Sequence, residues 1–277
     1  MLQQSELDAF DCLQWLGSGA LAGQFLQCSQ ATISRQARSV THFLQLRLQR
    51  QADGFKAAGN HLDLLQLERE IHQLFRFNGR GWLRLQVPAG GRAHLLSSLP
   101  LNWRCGPCRP KEAFVSPMDL LSNLVVDACI VQPTQLAQMD PDRIWSIPLF
   151  SSPLQLVSLD GEPGKRFDLQ SGRAELVHLP WVPLVTRRAI EGLHRGLVGP
   201  EALPAQERTL PVTYVNSLAL QFERYRPLEV ALNRQTGDHL VCLREHRQQP
   251  ALQVLLEVLQ DSLFRLRRRG LSLEVCL

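Results

Sequence analysis

Lysine is nearly missing from this 277-residue sequence: it stands only at Lys56, Lys111 and Lys165, and every other basic chain is arginine. That bias by itself assigns no function. Acids are missing locally. From Cys12 to Ala52 there is no Asp or Glu, although Arg35, Arg38, His42, Arg47 and Arg50 all fall inside. Folding gives a small helical segment no reason to exclude carboxylates. A surface that must approach phosphates has one, because each carboxylate would repel the polyanion. Long apolar runs are absent as well: none approaches the ~20 residues needed to span a bilayer. The opening MLQQSELDAFDCL is acidic and lacks a continuous apolar core. No signal peptide is read there, and a cytoplasmic location with no membrane partner is expected.

Catalytic signatures are also lacking. There is no GxSxG, no HExxH, no P-loop and no GxGxxG following a strand, so the chain is not read as an enzyme and no cofactor is implied. The seven cysteines are odd in number and scattered, as expected for reduced thiols. Cys105 and Cys108 have CxxC spacing, but no second pair completes a metal site, and Pro110 argues for a turn with incidental thiols. His239 and His246, with Glu245 between them, read as surface polar residues. Asp127 reads as a structural hydrogen-bonding acid at a strand–helix junction. The run Arg265, Arg267, Arg268 and Arg269 reads as a solvated last turn that complements the helix dipole, with nucleic-acid contact as the alternative. The formal charge of +4 is mild, so distribution matters more than total.

What is present is a helical pattern. Residues 5–16 read as a helix capped by Ser5, with Leu7, Phe10, Leu13 and Leu16 as its stripe. Residues 20–26 form a short helix, Gln27 and Cys28 turn, and Ser29 can cap the next helix. There Ile33, Ala37 and Val40 make an apolar stripe opposite Gln30, Thr32, Arg35, Gln36, Arg38 and Ser39. Two helices joined by a tight turn, the second displaying amide, hydroxyl and guanidinium groups, describe a helix-turn-helix. Gln suits adenine edges and Arg guanine edges in a major groove. Residues 43–50 alternate as a strand or wing, on which Arg47 and Arg50 can touch backbone phosphates. Ala52, Asp53 and Gly54 read as a turn.

Gly17-Ser18, Ala22, Leu26, Ser29-Gln30, Ser34-Arg35 and Val40, with Phe10 seven residues before Gly17, resemble the amino-terminal signature of LysR-type transcriptional regulators. The sequence departs from that pattern at Gly23, where a second Ala is usual, at Thr41, a usual Glu, and at Gln45 and Gln49, a usual Gly and Phe. The resemblance implies a winged helix-turn-helix over residues 1–58, a linker and dimerisation helix over 59–80, and a two-lobed, periplasmic-binding-protein-like α/β effector domain over 81–277. It implies double-stranded DNA as partner, with Gln30, Thr32, Ser34 and Arg35 facing bases and Arg38 and Arg50 on phosphates.

Residues 61–77 form a helix in which Leu64, Leu67, Ile71 and Leu74 repeat as a seam, with Glu68, Arg69 and Glu70 outside it. The seam suits pairing of two copies into a homodimer or homotetramer, and the alternative is packing on the same chain. Beyond the break at residues 78–81, strands are read at 82–87, 102–105, 125–131 (a central parallel strand), 144–149, 154–159, 212–215, 228–232 and 240–243. Helices are read at 92–99, 119–124, 186–196, 217–225 and 250–269. Alternation of this kind argues for an α/β sheet, and with the amino-terminal head the fold class is α+β/α/β. By resemblance, a small anionic effector would lie between the lobes against Gly90, Gly91, Arg92, Ser151 and Ser152. Loops with no ligand are the alternative, and a protein-interaction role for the helix-turn-helix with a vestigial pocket is the rival reading of the whole chain.

Overall fold

The computed structural model describes residues 2–51, 54–87, 99–106, 116–158, 174–176, 210–216, 226–227 and 235–276. The chain opens with α1 (Gln4–Leu16), α2 (Gly19–Leu26) and α3 (Gln30–Phe43), followed by β1 (Leu46–Gln51) and β2 (Gly54–Gly59). α1 is capped two residues earlier than Ser5: Gln3 and Glu6 exchange side-chain and backbone bonds in a capping box. Asp8, three residues after Ser5, is engaged with Arg84, whereas Glu6 is placed to return a bond to the Gln3 amide at 3.1 Å. Leu7, Phe10, Leu13 and Leu16 are buried, as are Ile33, Ala37 and Val40 of α3. β1 and β2 form an antiparallel hairpin, so residues 54–59 are a strand, where the sequence pattern implied only a turn at Ala52, Asp53 and Gly54. Three helices and this wing are a winged helix-turn-helix.

α4 (Leu62–Phe77) leads into a mixed α/β region. Its first sheet contains β3 (Leu83–Gln86), β4 (Trp103–Cys105), β5 (Ala128–Val131), β6 (Ile144–Pro148) and β12 (His239–Leu243), in the order β4-β3-β5-β12-β6. β3 is parallel to β4 and β5, whereas β12 runs antiparallel to β5 and β6. β5 is thus central and buried, but parallel on one side only and shorter than the run 125–131. The adjoining helices are α5 (Pro117–Ser122), which starts two residues before the expected 119 because Pro117 suits a first turn, and α6 (Pro133–Leu136).

β7 (Phe150–Ser158) anchors a second sheet with β8 (Ala174–Leu176), β9 (Leu210–Asn216), β10 (Arg226–Pro227), β11 (Gln235–Thr236) and β13 (Glu274–Val275). α7 (Pro250–Arg268) closes the chain's long helical stretch. The helices read at 186–196 and 217–225, the strand at 228–232, and all but Leu99 of the helix at 92–99 lie outside the described residues.

Alternation in β5 and β12 divides the interior. Cys129, Val131, Val241 and Leu243 face a core shared with α1, α3 and α5. Ala128, Ile130, Leu240 and Cys242 face the other side, under Leu252, Leu255, Leu259 and Leu263 of α7. The period of two in the strands and of three to four in the helix produces this split.

Candidate nucleic-acid interface

α3 begins at a side-chain cap. Ser29 Oγ accepts from the Thr32 amide at 3.1 Å and lies 3.0 Å from Thr32 Oγ1. Before it, Gln27 takes the left-handed conformation at φ 57°, and the Cys28 amide donates to the Gly23 carbonyl at 2.9 Å. Gly23 is required by this turn: a Cβ there would lie 2.6 Å from the Cys28 carbonyl oxygen. The departure from the usual Ala therefore belongs to this particular turn.

With its stripe packed inward, α3 exposes Gln30, Ser34, Arg35 and Arg38. Thr32 is half-buried and engaged with Ser29, which holds its hydroxyl near the helix start. Ser39, expected on the same face, donates to Glu6 Oε1 at 2.7 Å and so ties α3 to α1. On the wing Arg47, Arg50 and Lys56 are exposed. Among the described residues no carboxylate pairs with Arg35, Arg38, Arg47 or Arg50. The face therefore presents uncompensated guanidinium groups together with a neutral amide and hydroxyl. A 14-residue helix, about 21 Å long, is of a size that a major groove admits.

α4 has an inverted surface. Leu62, Leu64, Leu67, Ile71 and Leu74 are 40–54% exposed, while Arg69, His72, Gln73 and Arg76 are buried. Arg69, placed outside the seam by its sequence position, is thus no solvated residue. Its Nε and Nη2 donate to Asp11 Oδ1 at 2.8 and 2.7 Å. Asp127 accepts from Arg76 Nη2 at 2.7 Å, Gln73 Nε2 at 3.1 Å and the Arg84 amide at 2.8 Å. Those bonds give it the structural role expected of it.

His246 is buried as well, a correction to its surface assignment. Its Nε2 lies 2.8 Å from Gln73 Oε1 and its ring packs on Phe77 at 4.6 Å. Burial lowers its pKa, against the weaker pull of Glu245.

Of the residues implied in effector binding, Gly90, Gly91 and Arg92 lie outside the described residues. Ser151 and Ser152 stand on β7, where the chain passes between sheets. Ser151 donates to Gln235 Oε1 at 2.6 Å and Ser152 is buried. The crossing is tight, since a Cβ on Gly237 would lie 1.8 Å from the Phe150 carbonyl oxygen. Beside it sits Asp238, 3% exposed, with one carboxyl oxygen lacking a partner among the described residues. Burial pushes that carboxyl up to about 7, against a hydrogen bond from Gln132 that pulls it down. Nothing in the sequence marks Asp238, because a lone acid after glycine reads as an exposed turn. Among the described residues no group of His, Cys, Asp and Glu is placed to hold a metal ion, and no helix is long and apolar enough to cross a membrane. Cys105 is half-buried and its thiol donates to the Gly106 carbonyl at 3.3 Å, while Cys108 lies outside the described residues.

No family model and no curated protein sequence matches the chain. Solved structures do. Full-length OxyR from Pseudomonas aeruginosa, in a variant form, is 13% identical with a TM-score of 0.46, covering 94% of this chain and 98% of its own. CbnR, described as a LysR family transcriptional regulator and solved with its target DNA, is 17% identical with a TM-score of 0.45, covering 94% and 100%. Vibrio fischeri DarR in complex with DNA is 13% identical with a TM-score of 0.45, covering 95% and 99%.

Proposed function

We propose that this chain is a sequence-specific DNA-binding transcriptional regulator of the LysR type, acting in the cytoplasm. In this reading residues 1–58 are the DNA-binding head, 59–80 the dimerisation helix, and 81–277 the effector-binding region. One observation carries it: the face of α3 that the fold leaves open holds Gln30, Ser34, Arg35 and Arg38, in a stretch with no acid to oppose a phosphate. Gln30, Ser34 and Arg35 meet base edges, with Thr32 at the helix start. Arg38 and Arg50 lie on phosphates, which supply most of the binding energy and make affinity fall steeply with salt.

The exposed seam of α4 pairs two copies into a homodimer, or two dimers into a homotetramer. The DNA site is then two half-sites about one helical turn, or a multiple of it, apart. A small anionic effector bound between the lobes, for which the resemblance implies Gly90, Gly91, Arg92, Ser151 and Ser152, biases the placement of the heads.

A gel-shift assay with DNA from upstream of the protein's own coding sequence tests the reading. The protein retards one fragment selectively at low salt and loses it as salt rises. Arg35→Ala lowers discrimination between that fragment and a scrambled one by roughly 5- to 150-fold, the value of one good base contact. Selectivity retained in full by Arg35→Ala would remove α3 from its assigned role.

A further inference from the structure

The DNA-reading head is welded to the first sheet. One apolar cluster runs without interruption from Leu7, Phe10, Ile33 and Val40 to Leu121, Val126 and Val131. An ion cluster crosses the same boundary. Asp11 on α1 accepts from Arg69 on α4 and, through Oδ2 at 3.0 Å, from Arg84 Nη1 on β3. Arg84 also bonds Asp8 and donates to the Val125 carbonyl at 2.9 Å. Its backbone amide donates to Asp127, which Arg76 of α4 clamps. Arg69, Arg76 and Arg84 thus face Asp8, Asp11 and Asp127, and all but the partly exposed Asp8 are essentially sealed from water. At the rim, Trp15 Nε1 donates to Gln86 Oε1 at 2.5 Å, and Arg104 Nη1 donates to the Phe25 carbonyl of α2 at 3.0 Å.

Apolar surfaces alone would tolerate sliding of the head over the sheet. A buried ion cluster does not, because a small displacement leaves charges unpaired where water cannot solvate them. We propose that Asp11, acting through Arg69 and Arg84, is a positioning residue for DNA recognition. It fixes the angle at which α3 is carried and makes head, α4 and first sheet one rigid body. The spacing between recognition helices in a dimer is then set by this lock together with the α4 seam, and an effector alters it only by moving that whole body. The inference rests on the DNA-binding reading.

The test uses the full chain and Asp11→Asn, which keeps the shape and one acceptor oxygen but leaves three guanidinium groups against two carboxylates. Binding is measured to a single half-site, to the paired half-site spacing that the wild type selects from a randomised pool, and to that spacing lengthened by half a helical turn. Unfolding is followed in parallel by tryptophan fluorescence and circular dichroism. The wild type prefers its selected spacing by about tenfold. Asp11→Asn holds the single half-site within about threefold, loses the spacing preference, and melts about 10 °C lower with the two probes no longer coincident. A folded Asp11→Asn protein with undiminished spacing preference overturns the proposal.

If no duplex binds even the wild type, the DNA-binding reading fails separately, and the unfolding arm judges the lock. Probes that stay coincident in the variant overturn it, and probes that separate uphold it. Should Asp11→Asn not fold, Arg104→Ala takes its place in both arms. It frees α2 from the sheet without stranding a buried charge, and produces the same loss of spacing preference to a smaller degree. An unchanged preference in Arg104→Ala likewise overturns the proposal.

Discussion

Arg76 and Asp127 meet at 2.7 Å in the interior, 51 residues apart in sequence and each about 1% exposed. The pair joins α4 to the start of β5, and Asp127 also accepts the Arg84 amide from the neighbouring strand. Burial alone would lower the pKa of Arg84. The carboxylates of Asp8 and Asp11 outweigh it and hold the guanidinium firmly charged. Removing Asp127 strands Arg76 without a counter-charge in a dry site. Asp127→Ala is expected to lose about 3–5 kcal/mol of unfolding free energy, read from urea midpoints at unchanged slope. A loss below ~1 kcal/mol, the range of an exposed pair, would show that water reaches the site.

Elements with one wet face were legible in the sequence. The stripe of Ile33, Ala37 and Val40 and the helix of α7 emerge where the sequence places them, because a half-buried helix writes its two environments into its spacing, whereas β12, buried on both faces, shows only as a short apolar run. α4 is silent on its charged side: Arg69 reads only as lying outside the seam, and an acid far away in the chain, Asp11, makes it a core residue. β2 is hidden for another reason. Ala57, Ala58 and Gly59 have little strand preference, and their conformation comes from pairing with β1. Gln45 stands where the resemblance implies a glycine, and it does take a left-handed φ of 52°, the conformation that glycine adopts most easily.

Gly23 sits inside α2, where helix propensity alone would favour alanine by about 1 kcal/mol. The close approach of the Cys28 carbonyl reverses that preference, since its oxygen is backbone and is held by the turn into α3. Gly23→Ala is expected to lower stability by about 1–3 kcal/mol and to weaken any DNA complex through displacement of Ser29 and Gln30. Thermal melting decides the matter: a higher melting temperature in the variant would mean the turn relaxes freely.

The seam on α4 is apolar and open to solvent in the single chain. Five such side chains on one helix are expected to be covered by a second copy. Leu67→Glu with Ile71→Glu places acids opposite one another across a paired seam, and sedimentation should then report a monomer with an intact circular dichroism spectrum. Paired half-sites would be bound no better than single ones. A double variant that still sediments as a dimer would place the interface elsewhere.

Asp238 supplies a pH test beside the crossing of the sheets. Its pKa rises from 3.8 in an unfolded chain to about 7 in the folded one, so between these values the folded state binds more protons. The contribution is fully present below pH ~4 and is lost as pH climbs through ~7, with a ceiling of about 4 kcal/mol. His246 acts in the opposite sense, because its buried neutral form must charge as pH falls below its ordinary value. The whole-protein profile mixes the two, and Asp238→Asn separates them. The variant carries no titrating proton there but keeps a group able to bond Gln132. Relative to wild type it should gain stability from pH 5 to about pH 7 and level off above that, measured as the difference in urea midpoints. Two profiles that run parallel across that range would mean the carboxylate is solvated, and that the crossing is open to water.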